Sequence, residues 1–151
     1  MARTIVLGYD GSECAKEALD AAVDIARDQP GSRIVVVHGC EVNLAVGGGP
    51  MTAELIVPEF KDVEPPVEGG IRTLLDEATT RIAAAGIAAK SSLEWESAAA
   101  ALLDAAKRES ADMIVVGGHG TGAIRGILLG STPYKLLHHH HVPVLVVPHR
   151  H

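Results

Sequence analysis

Thr4-Ile5-Val6-Leu7-Gly8-Tyr9-Asp10-Gly11-Ser12 is the stretch on which the reading of this chain turns. Its first half is a short apolar run, the pattern of a strand buried on both faces. Its second half is a turn, and Ser12 stands where a side-chain oxygen can cap a helix. Beyond it Ala15, Ala18, Leu19, Ala22, Val23 and Ala26 recur at helical spacing, with Lys16, Glu17, Asp20, Asp24 and Arg27 turned the other way. Pro30-Gly31 stops that helix, and Arg33 to His38 (RIVVVH) reads as a second strand. Strand, helix, strand is the βαβ unit, whose crossover is nearly always right-handed.

The same alternation returns downstream. Ile71, Leu74, Leu75, Ala78, Ile82 and Ala85 predict a helix that ends at Gly86. A weak strand follows around Ser91 to Trp95 (SSLEW). Ser97 is placed to cap a third helix with Ala98, Leu102, Leu103 and Ala106 on one face, and Met113 to Val116 (MIVV) is a buried strand. Thr132 as N-cap and Pro133 as first helical residue predict a last helix, followed by the strand Val142 to Val147 (VPVLVV). The order β-α-β-α-β-α-β-α-β defines an α/β fold: an open five-stranded parallel sheet with helices on both faces. Ligands in such sheets bind at the C-terminal strand ends where the strand order reverses, which points to the loops after the first and fourth strands. Cys40 to Gly70 contains GGGP and further prolines without clear periodicity. It reads as a long surface loop (41–70), the candidate for a mobile element beside the site. A linker between two domains is the other reading, but the rest of the chain does not look like a second one, so 1–151 is taken as a single domain.

Bulk properties narrow the function classes. The 151 residues suit one compact domain with one core. Aromatics make up only 3% and the formal net charge is -6, so the chain offers nucleic acid neither electrostatic attraction nor stacking platforms. A nucleotide is not excluded, because backbone amides bind phosphate whatever the net charge. Two cysteines, Cys14 and Cys40, are too few for a disulfide scaffold and fit reduced thiols. No run approaches the roughly 20 apolar residues of a membrane span, and no secretory h-region opens the sequence. A cytoplasmic protein with no nucleic-acid or membrane partner is expected.

The chemistry sits in Gly117-Gly118-His119-Gly120 and the residues that lead to Leu129-Gly130-Ser131-Thr132. No Gly-Lys-Ser/Thr and no G-x-G-x-x-G occurs, so this is neither a Walker loop nor the dinucleotide fingerprint. The logic is similar: glycines bring N–H groups close to an anion, and a helix start follows. Gly117, Gly120, Gly130 and Ser131 fall on the pattern G-2x-G-9x-G-S/T, and with it the chain resembles the universal stress proteins, in particular their ATP-binding members. The opening IVLGYDGS, the IVVVH strand, IVVGGHG, LLGST and the closing VPVLVVP follow that family's order along the whole chain.

The resemblance implies an adenine-nucleotide alpha-hydrolase-like, Rossmann-like sheet and a set of roles. Val37 is similar to the residue whose backbone meets adenine, and Asp10 matches the acid beside the ribose or metal. Gly117, Gly120, Gly130, Ser131 and Thr132 would surround ribose and phosphates, with Mg²⁺ or Mn²⁺ accompanying ATP. The strand Val142 to Val147 is similar to the family's dimerisation strand, which implies a homodimer. ATP would then act as a ligand that switches conformation or partner preference in a stress response. A slow ATPase on the same fold is one alternative and a nucleotide-free interaction protein another. No Walker lysine, evident general base or carboxylate cluster supports turnover.

Other residues have blander readings. Asp10 also suits a cap of its own turn, and Arg125 a solvated loop position. His38 and His119 lack a partner constellation for base catalysis. His138 to His141 read as a partly exposed helix end, where imidazolium suits the helix dipole, rather than as a metal site. Cys14 lies at a helix start, where an ordinary small residue serves as well as a redox thiol.

Overall fold

The computed structural model describes residues 1–41, 44–46, 49–51, 66–119, 129–139 and 141–149. Along the chain run β1 (Thr4–Gly8), α1 (Glu13–Arg27), β2 (Arg33–Gly39), β3 (Leu44–Val46), β4 (Gly49–Met51), α2 (Pro66–Ala84), β5 (Ala88–Glu94), α3 (Ala98–Arg108), β6 (Met113–Gly117), α4 (Ser131–Leu137) and β7 (Val144–Val147). Five of the strands form one sheet in the order β5-β2-β1-β6-β7, and every pair in it is parallel. The expected α/β sheet is therefore present, and its order reverses between β1 and β6.

The helices cover both faces because their apolar stripes need cover on both. The α1 stripe read from the sequence is buried throughout, and it packs with Leu75, Ala78 and Ile82 of α2 onto one face of the sheet. Ala99, Leu102, Ala105 and Ala106 of α3 and Leu136 of α4 pack onto the other. The central strands supply Ile5, Leu7, Ile34 and Val36 to the first layer and Val6, Val35, Ile114 and Val116 to the second. That is why these strands are continuous apolar runs rather than alternating ones. Each such fully buried side chain contributes roughly 1.5–3 kcal/mol. Ser12 and Ser97 cap α1 and α3 as expected, accepting from the amides of Ala15 and Ala100 at 3.2 Å each.

Three sequence expectations need correction. The stretch 41–70 is not one irregular loop: β3 and β4 pair antiparallel within it, and α2 begins at Pro66 rather than Ile71. Pro66 is preorganised for a helix start, and Glu68 in the first turn is buried and paired with Arg72 one turn on. Glu68 and the two glycines that follow it hid this turn from a reading based on apolar spacing. The expectation of a mobile element concerns residues that lie largely outside those described.

The weak strand at 91–95 is β5 (Ala88–Glu94), and Trp95 lies beyond it, exposed. As an edge strand, with one hydrogen-bonded neighbour, β5 tolerates small and polar residues that blur the period. The last helix has Gly130, not Thr132, as N-cap, so Pro133 occupies its third position. Proline fits there because first-turn amides have no intrahelical acceptor to lose. The helix ends at Leu137 with His138 as C-cap; His139 and His141 lie outside it, and all three are exposed.

At the opposite end from the strand C-termini, Glu109 fastens α3 to the sheet. Its carboxylate meets Lys90 Nζ at 2.7 Å and Arg33 Nη1 at 3.3 Å. The Lys90 hydrogen bond, aided by the charges of Lys90, Arg33 and Arg108 and opposed by burial, holds the Glu109 carboxyl below its usual value of 4.5. A depressed carboxyl stabilises the fold above its unfolded pKa, and that contribution is lost as the pH falls through the folded value. Glu109→Gln is expected to lower stability in urea at neutral pH. The gap to the parent should close well below pH 4.5; a gap independent of pH would assign the effect to packing.

Candidate functional site

The cleft follows from strand order. β1 is bonded to β6 through Leu7↔Val115, and the register ends there. Its next residues follow β2 instead: Gly8 pairs with Val37, and the Tyr9 amide donates to the Val37 carbonyl at 3.0 Å. β6 follows β7 in the same way, with Gly117 opposite Val147 and the Gly118 amide donating to the Val147 carbonyl at 2.8 Å. The two halves of the sheet part, and a cavity of about 570 Å³ opens between them. That volume lies within the ordinary range of small-molecule sites.

Asp10, Val37, Gly117, Gly130, Ser131 and Thr132 all line this one cavity. Gly120 and Arg125 lie outside the described residues. Asp10 is held by its own loop, its Oδ1 accepting from the Ser12 amide at 2.9 Å. It is therefore a turn cap that also faces the cleft. Val37 forms floor: it is almost fully buried and its carbonyl already receives the Tyr9 amide.

The glycines divide by cause. A Cβ on Gly117 would stand 2.7 Å from Cys14 Cβ and 2.8 Å from the Cys14 carbonyl carbon. Gly117 is thus needed for the approach of α1, whatever occupies the cleft. Cys14 is buried at this contact. At Gly130 the amide donates to the Gly118 carbonyl at 2.6 Å, which closes the loop neck and aims the start of α4 at the cavity. Ser131 and Thr132 then present hydroxyls and first-turn amides, groups that a helix leaves without an internal acceptor.

The sequence reading set His38 aside and passed over other cleft residues. His38 reaches the Tyr9 carbonyl at 2.8 Å through Nδ1. Gly39, Cys40, Glu41 and Ala98 also line the cavity. Gly39 carried a usable signal, a glycine at a strand end: its Cβ would meet the Ala98 Cα at 2.7 Å and the Glu96 carbonyl at 2.9 Å. Ala98 carried none. Burial raises the Tyr9 phenol above its ordinary pKa, against the pull of Lys16 and Arg81. Among the described residues no group of three His, Cys, Asp or Glu side chains is placed to hold a metal ion, and no helix is long and apolar enough to cross a membrane.

An open parallel sheet with a cleft at its reversal point, walled by an acid-bearing turn and a Gly-Ser-Thr helix start, defines an α/β protein of the Rossmann-like type. The family model described as "Universal stress protein family" matches residues 1–148, and the chain belongs to that family. A Thermus aquaticus relative, "Universal stress protein in QAH/OAS sulfhydrylase 3'region", is 35% identical over 97% of this chain and 99% of its own. Among solved structures, the hypothetical protein MJ0577 superposes with a TM-score of 0.82 at 21% identity, covering 100% of this chain and 99% of that one. A universal stress protein solved in complex with cAMP superposes with a TM-score of 0.69 at 26% identity, covering 97% of each chain.

Gly117→Ala is expected to destabilise the fold by about 1–3 kcal/mol through overpacking against the Cys14 backbone. Gly130→Ala should cost less, since its nearest atom is the Gly118 carbonyl oxygen at 3.0 Å. Denaturant midpoints of the two variants check the order.

Proposed function

We propose that the cleft binds an adenine nucleotide, ATP with Mg²⁺ or Mn²⁺, and that the bound nucleotide acts as a switch in a stress response rather than as a substrate for rapid turnover. The observation that carries this reading is the convergence of Asp10, Val37, Gly117, Gly130, Ser131 and Thr132, drawn from four separate chain segments, on one cavity. The amides and hydroxyls of Ser131 and Thr132 are phosphate-type donors. Asp10 and Glu41 supply the hard carboxylate oxygens that a nucleotide-borne divalent cation takes as one or two of its ligands. The complex of a family member with cAMP supports an adenine ring as the recognised part.

A switch needs differential affinity for two states. The Asp10 turn is in contact with α2: a Cβ on Gly11 would fall 2.4 Å from Leu74 Cδ1. Ligand contacts at Asp10 would therefore press on α2, the helix that begins at Pro66 within the 41–70 stretch. For assembly, β7 is an edge strand whose Val144–Val147 segment is half-buried and wholly apolar, which supports pairing with a second copy.

Titration calorimetry with Mg-ATP tests the reading. The parent protein should bind, Gly130→Lys should abolish binding, and Asp10→Ala should weaken it by about tenfold or more, the scale of a lost charged contact. No binding of any adenine nucleotide by folded, ligand-free protein would overturn it in favour of a nucleotide-free interaction protein. Turnover well above background that is lost in Asp10→Ala would favour the slow ATPase. Sedimentation equilibrium should return twice the chain mass; a monomer at micromolar concentration would remove the β7 pairing.

A further inference from the structure

We propose that His38 is the positioning residue of the cleft: its Nδ1–H holds the Tyr9 carbonyl and thereby sets the direction in which Asp10 presents its carboxylate. The inference rests on the adenine-nucleotide reading of the site and assigns a role to a residue that makes no Walker-type or metal-type contribution.

The geometry is specific. The Tyr9 amide is bound to the Val37 carbonyl at 3.0 Å and the Tyr9 carbonyl to His38 Nδ1 at 2.8 Å, so consecutive groups of β2 grip both sides of one residue. The carbonyl of Tyr9 and the amide of Asp10 belong to one rigid peptide plane. Holding the oxygen restrains the plane, and the plane places the Asp10 nitrogen and Cα from which the side chain departs. The need for such a tie is local. β6 has already left β1 at Leu7, and Gly11 follows at φ +77, in the left-handed region where glycine allows a turn to swing. Within the turn, the Ser12 amide donates to Asp10 Oδ1, which orients the carboxylate relative to the turn, while the His38 bond ties the turn to β2 of the sheet.

A carbonyl only accepts, so the proton lies on Nδ1 and a neutral His38 ring has a bare Nε2. This makes the role separable from direct ligand contact. An asparagine amide reaches the position of Nδ1, and a glutamine amide reaches that of Nε2.

The test is Mg-ATP affinity in His38→Ala, His38→Asn and His38→Gln, each also built on Asp10→Ala. His38→Ala should weaken binding about tenfold. His38→Asn should restore most of it and His38→Gln should not. On the Asp10→Ala background, His38→Ala should cost nothing further, because its effect passes through Asp10. Rescue by Gln and not Asn would mean that Nε2 meets the ligand directly, and an equal loss on both backgrounds would mean that Asp10 is not the intermediary; either overturns the proposal. Should His38→Ala fail to fold, the Asn and Gln pair carries the same decision. Two readouts need no ligand and separate this proposal from the nucleotide reading. Nitrogen chemical shifts of His38 should show the Nδ1-protonated tautomer, and amide exchange at Gly11 and Ser12 should quicken in Ala and Gln but not in Asn. A ring protonated on Nε2 alone, or exchange unmoved in Ala, overturns the clamp even if ATP binds. Both as expected with no nucleotide bound would leave the clamp standing and remove the nucleotide reading alone.

Discussion

Strand β1 lies between two neighbours that leave it in different company. Its hydrogen bonds to β6 stop at Leu7, whereas those to β2 continue past Gly8 to Tyr9. Backbone groups that lose a ladder partner must find another or meet solvent. Here the Tyr9 carbonyl finds His38, while the Gly118 amide stays with β7 at the Val147 carbonyl. The cleft is thus not carved out of a finished fold. It is the space left where a parallel sheet changes winding direction, and its walls are the residues that make good the lost pairing.

The same constraint explains the glycines at the rim. Helices α1 and α3 run back over the sheet from turns at the cleft mouth, so their first residues come close to the strand ends. Gly117 meets Cys14 of α1, and Gly39 meets Ala98 of α3. Both glycines are demanded by packing between backbone segments. The glycine-rich signature of this fold therefore records the seating of helices at Gly117 and Gly39, whereas at Gly130 the amide donates a hydrogen bond to the Gly118 carbonyl that closes the loop neck.

Much of the architecture was legible because its signals are local. The runs TIVLG, RIVVVH and MIVV and the α1 stripe carry their burial on their face. What the sequence hid depends on partners remote in the chain. Residues 66–70 look like loop because the first turn of α2 buries Glu68 against Arg72 rather than an apolar side chain. The start of α4 was misplaced because Gly130 caps it through backbone geometry, with no side-chain bond to announce it. At the site, Asp10 and the Gly-Ser-Thr segment were readable from spacing and resemblance. Ala98 was not, since its place in the cleft depends wholly on how α3 crosses β2. His38 was visible but had no meaning until the carbonyl it serves was located.

The two rims of the sheet differ in a way that bears on growth. β5 offers Lys90, Ser91 and Glu94 along its free side, whereas β7 offers Val144, Leu145, Val146 and Val147. Charged and small polar residues blunt one border against strand addition; the valine-rich border invites it. Pairing of β7 with β7 would consume both of those borders, so an assembly built in that way would close at two copies instead of running on into a fibre.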